Sequence, residues 1–302
     1  MYLNTPPRSM IRFTRRGKLV LVVTGAVVAG TAVAVPLLSL GGADRKPISL
    51  VIPEGWRASQ VYEAIDKALA LPAGSTAKSI GKARLKLPSD AAGNPEGYLF
   101  PATYHVDKDA TPQTLLQQMV DTANDRFDVA PVAAGAQRSP MNLYQAITVA
   151  SIVQAESASR TDMGKVARVV LNRLARGIPL QMDSTLNYGL RRHAARTSLA
   201  DTRIDNPYNS YQRAGLPPTP IDSPGADAMR ATLNPTPGDW LYFVTVKPGD
   251  TRFTTDYEEH QRNVAEFNAL QQKNKKAQRS PSATASPSGA SPSPSGVAQS
   301  RL

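Results

Sequence analysis

Glu156 stands where a chain has least reason to put a charge. In "VASIVQAESASR" (149–160), Val149, Ile152 and Val153 form an apolar stripe at helical spacing, and Glu156 follows Ile152 by four and Val153 by three. Glutamate is almost never fully buried without a partner. Desolvation disfavours its charged form and lifts the pKa from about 4.3 toward 6 or above. A carboxylic acid still protonated near neutral pH can give a proton to a leaving group, so the position has the character of a general acid. The plainer alternative is a glutamate at the helix edge, reaching solvent or pairing with Arg160 at i+4. Other chemistries find less material. The chain has no cysteine, which excludes thiol catalysis and disulfides. His105, His193 and His260 lie far apart without ligand-type spacing, so neither a metal centre nor a cofactor is expected.

The elements that must position Glu156 can be read on either side of it. "ISLVIPEGW" (48–56) predicts a short strand and turn, and 57–71 a helix through Val61, Ile65 and Leu69 with Ser59 as its N-cap. Residues 72–95 read as loop, and "PEGYLFPATYHV" (95–106) as an aromatic-rich extended segment. Thr111 and Pro112 open a helix with Leu115, Leu116, Met119 and Val120 on one face. After the "GAQRSP" break the Glu156 helix begins near Met141. The next helix, with Met163, Val166, Ala167, Val170, Leu171 and Leu174 in register, stops at Gly177 and Pro179. Residues 180–238 show little periodicity apart from a short helix near 225–233. "WLYFVTVK" (240–247) predicts a buried strand, "RFTTDY" a short one, and 258–275 a final helix. The mixture predicts an α+β fold.

Charge and hydropathy bound the rest. The net charge is +11. Five of the basic residues (Arg8, Arg12, Arg15, Arg16, Lys18) lie before residue 19 and five more after residue 272, leaving 25 Lys and Arg against 24 Asp and Glu between them. A nearly neutral body without a basic stripe or interleaved aromatics argues against nucleic-acid binding. Residues 19–40 are 22 residues without a charge, enough to cross a bilayer core of about 30 Å. Basic residues on the N-terminal side place 1–18 in the cytoplasm and the body outside it. The competing reading is a cleaved signal peptide with "AVA" (32–34) as its site; the apolar run continues to Leu40, which favours a retained anchor. The Ser-, Pro- and Ala-rich tail, 276–302, cannot bury enough apolar surface to fold and reads as disordered.

Five segments carry a resemblance. "EGYLFPATY", "ITVASIVQAES", "VVLNRLARGIPLQMDSTLNYGL", "NPYNSYQRAGLPPTPIDSPG" and "LNPTPGDWLYFVT" occur in the order, and with many of the residues, of the YceG/MltG-like family of endolytic murein transglycosylases. Three departures stand out: "QAE" replaces the family's "EKE" and leaves Gln154 where relatives have an acid, "FPATY" carries Ala102 for an aspartate, and "MDST" keeps Asp183 and Thr185 of "TDPT".

The resemblance implies a LysM-like subdomain over 46–90, truncated at its start, and a catalytic domain over 91–275. It implies a membrane-anchored enzyme that cleaves glycan strands with Glu156 as sole catalytic carboxylate, acid first and base second, leaving 1,6-anhydro ends. Contact with peptidoglycan synthases is implied as well. Residues expected to bind substrate are Glu96, Tyr98, Asn172, Gln181, Asp183, Tyr188, Tyr208 and Asn209, with Tyr211 a further flat ring. Each has a structural alternative: an acid holding a turn, a buried tyrosine, a loop-pinning amide. Two other functions stay open, a hydrolysing muramidase with Asp183 or Glu96 as second carboxylate and a non-catalytic wall-binding scaffold.

Overall fold

In the computed structural model, which describes residues 48–127, 141–193 and 197–279, the chain opens with β1 (Ile48–Val51), paired antiparallel with β2 (Thr103–Val106). Leu50 lies opposite Tyr104 and Val51 opposite Thr103. The two-residue period decides what faces inward: Leu50, Tyr104 and Val106 are buried, while Val51 is exposed. A two-stranded ribbon is marginal alone; β1 leans on α1 (Ala58–Ala68), which buries Val61 and Ile65 as its spacing predicts. Ser59 is not the cap. It is exposed inside the first turn, and the helix starts from Arg57, whose N–H the Gln60 side chain accepts at 3.0 Å.

The segment expected to be loop holds a short helix, α2 (Ser75–Ser79), followed by single 3-10 turns at 80–82 and 89–91. Its anchor is tertiary. Asp66, buried on α1, accepts the N–H groups of Gly74 (2.7 Å) and Thr76 (2.8 Å) and the Thr76 hydroxyl (2.6 Å). Of the extended segment 95–106 only β2 is strand. Helix α3 (Pro112–Phe127) starts where expected, with Thr111 Oγ1 accepting the Thr114 N–H. Leu115, Leu116, Met119 and Val120 enter the core.

The central helix, α4 (Leu143–Glu156), is started by a capping box: Asn142 Oδ1 accepts the Gln145 N–H at 2.9 Å, and Gln145 Oε1 the Asn142 N–H at 3.0 Å. The expectation of an apolar stripe is corrected here. Residues 146 through 153 are all buried, so α4 is enclosed on every side rather than amphipathic. It packs against α5 (Met163–Ala175), α6 (Asp183–Gly189) and α7 (Ala226–Leu233). Gly177 ends α5 at φ +65° in a Schellman turn, its N–H donating to Leu174 O and that of Ile178 to Arg173 O. Helix α6 was not foreseen; seven residues are too few to display a period.

β3 (Tyr242–Lys247) and β4 (Asp250–Thr254) form a second antiparallel hairpin. Most of β3 is half-buried, with only Val246 fully inside, so the expected buried strand is corrected to a partly covered one. Helix α8 (Tyr257–Arg279) packs on the hairpin and runs four residues past the expected end at Lys275. The architecture is therefore α and β mixed, helices with two small sheets. The basic segment 1–18, the apolar segment 19–40, the "GAQRSP" break and the tail beyond Arg279 lie outside the described residues. Among the described residues no helix is long and apolar enough to cross a membrane.

Candidate functional site

Glu156 is the last residue of α4, where the enclosed helix emerges from the core. Glu156 lines a cleft of about 840 Å³ together with Gln181, Asp183, Thr197 and Tyr211 and with residues of β3 and α8. Three influences act on it. Burial pushes the carboxyl up, the contact with Ser184 draws it part of the way back, and the neighbouring charge of Asp183 raises it. The carbonyl end of α4 adds a partial negative charge of its own. Glu156 Oε1 accepts the Ser184 N–H at 3.1 Å, one of the free donors in the first turn of α6. The i+4 partner of the plainer reading is engaged elsewhere: Arg160 pairs with Asp227 at 3.0 Å. No salt bridge neutralises Glu156 among the described residues, and its pKa is raised as an acid catalyst needs.

Asp183 begins α6 and is held from two directions. Tyr211 donates its hydroxyl to Oδ1 at 2.6 Å, and the Thr197 N–H reaches Oδ2 at 3.3 Å. Gln181 is exposed in the cleft at φ +57°, a left-handed conformation that costs a non-glycine residue energy and that surrounding bonds must enforce. Arg173 supplies one such bond. Buried on α5, it donates to the Gln181 side chain (3.0 Å) and to the carbonyls of Pro179, Leu180 and Leu241, tying the 179–181 loop to the start of β3. The sequence reading passed over Arg173, although it follows Val169 and Val170 by four and three, the same spacing that drew attention to Glu156. Thr197, Tyr242, Tyr257 and His260 were also missed; they reach the cleft from loop, strand and helix with no common period.

The remaining candidates are placed elsewhere. Tyr98 is fully buried in the core, stacked on Tyr144. Asn172 donates to the carbonyls of Gly238 and Trp240 and pins the loop before β3. Asn209 is buried and donates to Thr202 and Ile204 carbonyls, fixing the "YNSY" turn. Tyr208 hydrogen-bonds Thr219 at 2.9 Å and lies against Tyr188, ring centroids 4.9 Å apart.

Glu96 and Tyr188 belong to a second cluster. Both Glu96 oxygens are engaged, Oε1 by the Ala58 N–H (2.8 Å) and Oε2 by the Tyr188 hydroxyl (2.9 Å). Burial pushes its carboxyl up to about 7, against those two bonds and the charge of Arg57. Asp222 is buried beside it and raised well above the ordinary range by burial and by Glu96. The "EGY" glycine makes this approach possible. Gly97 sits at φ +84°, and a Cβ there would lie 2.7 Å from Pro220 and 2.9 Å from Ile147. Neither Glu96 nor Asp222 lines the cleft.

The resemblance carried by the motifs extends along most of the chain. The YceG-like family model fits residues 30–266. The chain belongs to the YceG-like family. The endolytic murein transglycosylase of Bacillus subtilis (strain 168) is 35% identical over 182 residues, 60% of this chain and 49% of that protein. The enzyme of the same name from Streptococcus pneumoniae (strain D39) is 34% identical over 260 residues, 76% of this chain and 47% of its own length. A solved yceG-like protein from Listeria monocytogenes superposes with a TM-score of 0.64 at 30% identity, covering 72% of this chain and 75% of that one. The chain thus spans about half the length of the curated relatives it matches. Within the YceG-like family pattern its Gln154 has a local role, accepting the Gly225 N–H at 3.0 Å where α7 begins.

Proposed function

We propose that this chain is an endolytic murein transglycosylase that cuts the β-1,4 bond between N-acetylmuramic acid and N-acetylglucosamine within glycan strands. The observation that carries the reading is Glu156: a glutamate with a raised pKa, held by a backbone N–H, open to a cleft and without a salt bridge among the described residues. Protonated, it donates to the bridging oxygen as the C1–O bond breaks. The carboxylate left behind then takes the proton from the muramic C6 hydroxyl as that oxygen bonds to C1. The ring closes as a 1,6-anhydro sugar, no water enters, and Glu156 ends the cycle protonated as it began. Asp183, on the same cleft, offers negative charge to the oxocarbenium-like transition state.

Asp183 also supports a second reading, since a carboxylate on the cleft of the acid is what a hydrolase requires. The products separate the two. Uncrosslinked glycan strands incubated with the protein should yield fragments ending in 1,6-anhydro-muramic acid by mass spectrometry. Reducing ends in their place would establish hydrolysis and give Asp183 the second role.

The setting belongs to the same proposal. Residues 19–40 are the single membrane span, 1–18 are cytoplasmic, the body acts on wall material outside the membrane, and peptidoglycan synthases are its neighbours. The stretch 46–90 is the LysM-like portion and 91–275 the catalytic portion. A reporter that fluoresces only in the cytoplasm should be bright fused before Arg8 and dark fused after residue 272. The reverse pattern, or a released body beginning at Val35, would overturn the anchor.

A further inference from the structure

Besides Asp183 and Tyr211, the rings of Tyr242, Tyr257 and His260 line the cleft. Tyr242 on β3 and His260 on α8 lie nearly parallel, 22° apart with centroids separated by 5.1 Å. The first residue of α8, Tyr257, stands 5.5 Å from Tyr242 and is 57% exposed. Arg173 fixes the group from behind, its guanidinium carbon 5.0 Å from the Tyr242 ring centre. A single exposed aromatic needs no explanation, but three in mutual contact along one cleft do. One polar atom among them is also unaccounted for. His260 Nδ1 is shielded from water and has no hydrogen-bond partner among the described residues.

We propose that Tyr257, Tyr242 and His260 form a sugar-binding subsite, remote from the cut bond, for a β-1,4-linked N-acetylamino sugar of the strand, an inference that rests on the transglycosylase reading. In a β-1,4-linked aminopyranose the ring substituents are equatorial, so both faces present C–H groups. The electron-rich face of an aromatic ring attracts such a surface. The exposed face of Tyr257 takes the sugar ring, and Tyr242, in contact with both Tyr257 and His260, holds that face in place. Glu156 and the rings, which line the same cleft, then hold the strand at two points, which fixes its register before the proton moves.

The test is direct binding of fluorescently labelled, uncrosslinked glycan strands to the full chain carrying Glu156→Gln, which cannot cleave them. Adding Tyr257→Ala should weaken affinity about 10-fold. Tyr257→Trp, which keeps a flat ring, should bind within twofold of the parent, as a purely structural tyrosine would not. His260→Phe keeps the ring stacked on Tyr242 and should also bind within twofold of the parent. The exposed position of Tyr257 predicts an unchanged melting temperature for its variants. Affinity within twofold of the parent in Tyr257→Ala would overturn the subsite while leaving the enzyme reading intact. No strand binding by the Glu156→Gln parent would overturn both.

Discussion

Two buried glutamates have carboxyl groups raised by desolvation, and of the two only Glu156 lines the cleft. Glu156 sits at the end of a helix with one backbone donor, an anionic neighbour in Asp183 and a cleft in front of it. Glu96 has both oxygens bound and a guanidinium nearby in Arg57, and it does not line that cleft. Desolvation alone therefore does not mark a catalytic group; desolvation with an unfilled coordination shell and an approach path does. In the Glu96 cluster the same physics serves cohesion. Glu96 joins the start of α1 to Tyr188 near the end of α6, the helix whose first turn holds Glu156.

Removing the acid separates the clusters most sharply. Glu156→Gln keeps the size and one acceptor for Ser184 but supplies no proton, so turnover should fall about 10²–10⁴-fold. The melting temperature should hold or rise slightly, because an ionisable group has left an apolar setting. Turnover within a few-fold of wild type would end the assignment of Glu156.

Asp183 is the next largest lever, and its signature is a pH profile. Its charge raises the Glu156 carboxyl, so Asp183→Asn should let that pKa drop. The acid form needed for catalysis would then be lost at lower pH, and the alkaline limb of kcat against pH should move to more acidic values. An immobile limb, with only a uniform loss of rate, would mean that Asp183 acts on the substrate and not on Glu156.

How much of this was legible beforehand depended on the range of the interaction. The helices α3, α4 and α5, with the Thr111 cap and the Gly177 stop, are local affairs of spacing and φ, and the residues alone predict them. Glu156 was found by a premise only partly true: α4 is enclosed on all sides, so the informative feature was the charged residue at the end of an apolar helix rather than a stripe. What stayed hidden was long-range. Nothing near Asp66 announces that it builds α2 by gathering Gly74 and Thr76, and nothing near Asn172 that it reaches Trp240. The separation of Glu96 from the cleft follows from Gly97 fitting between Pro220 and Ile147, a contact between three distant segments.

Cutting one bond of the closed cluster should cost cohesion more than rate. Tyr188→Phe leaves Glu96 Oε2 buried without its donor, and a lost partner of this kind costs about 1–3 kcal/mol of stability. Turnover at a temperature where the variant stays folded should drop no more than severalfold. A loss as large as that of Glu156→Gln, with stability unchanged, would make Tyr188 part of the reaction and erase the distinction between the clusters.

The mildest change to turnover is expected from Glu96→Gln, and its effect lies in the pH dependence of stability. The amide keeps an acceptor for Ala58 and can donate to the Tyr188 hydroxyl, so the fold should persist. In the wild type the Glu96 carboxyl titrates near 7 when folded and near 4.3 when unfolded. Between those values the folded state binds more protons, so stability is full below about pH 4 and falls as pH rises, by at most about 1.4 kcal/mol per pH unit for one proton. Asp222, also raised, contributes with the same sign, and part of its shift comes from the Glu96 charge. Arg57 opposes both, and Tyr188 and Tyr62 stay protonated through this window. Replacing Glu96 removes one titration and relaxes the other, so melting temperatures taken from pH 4 to 8 should decline less steeply than in wild type. A steeper decline in Glu96→Gln would show that Glu96 is charged in the folded protein throughout, bound to Arg57 as an ordinary ion pair.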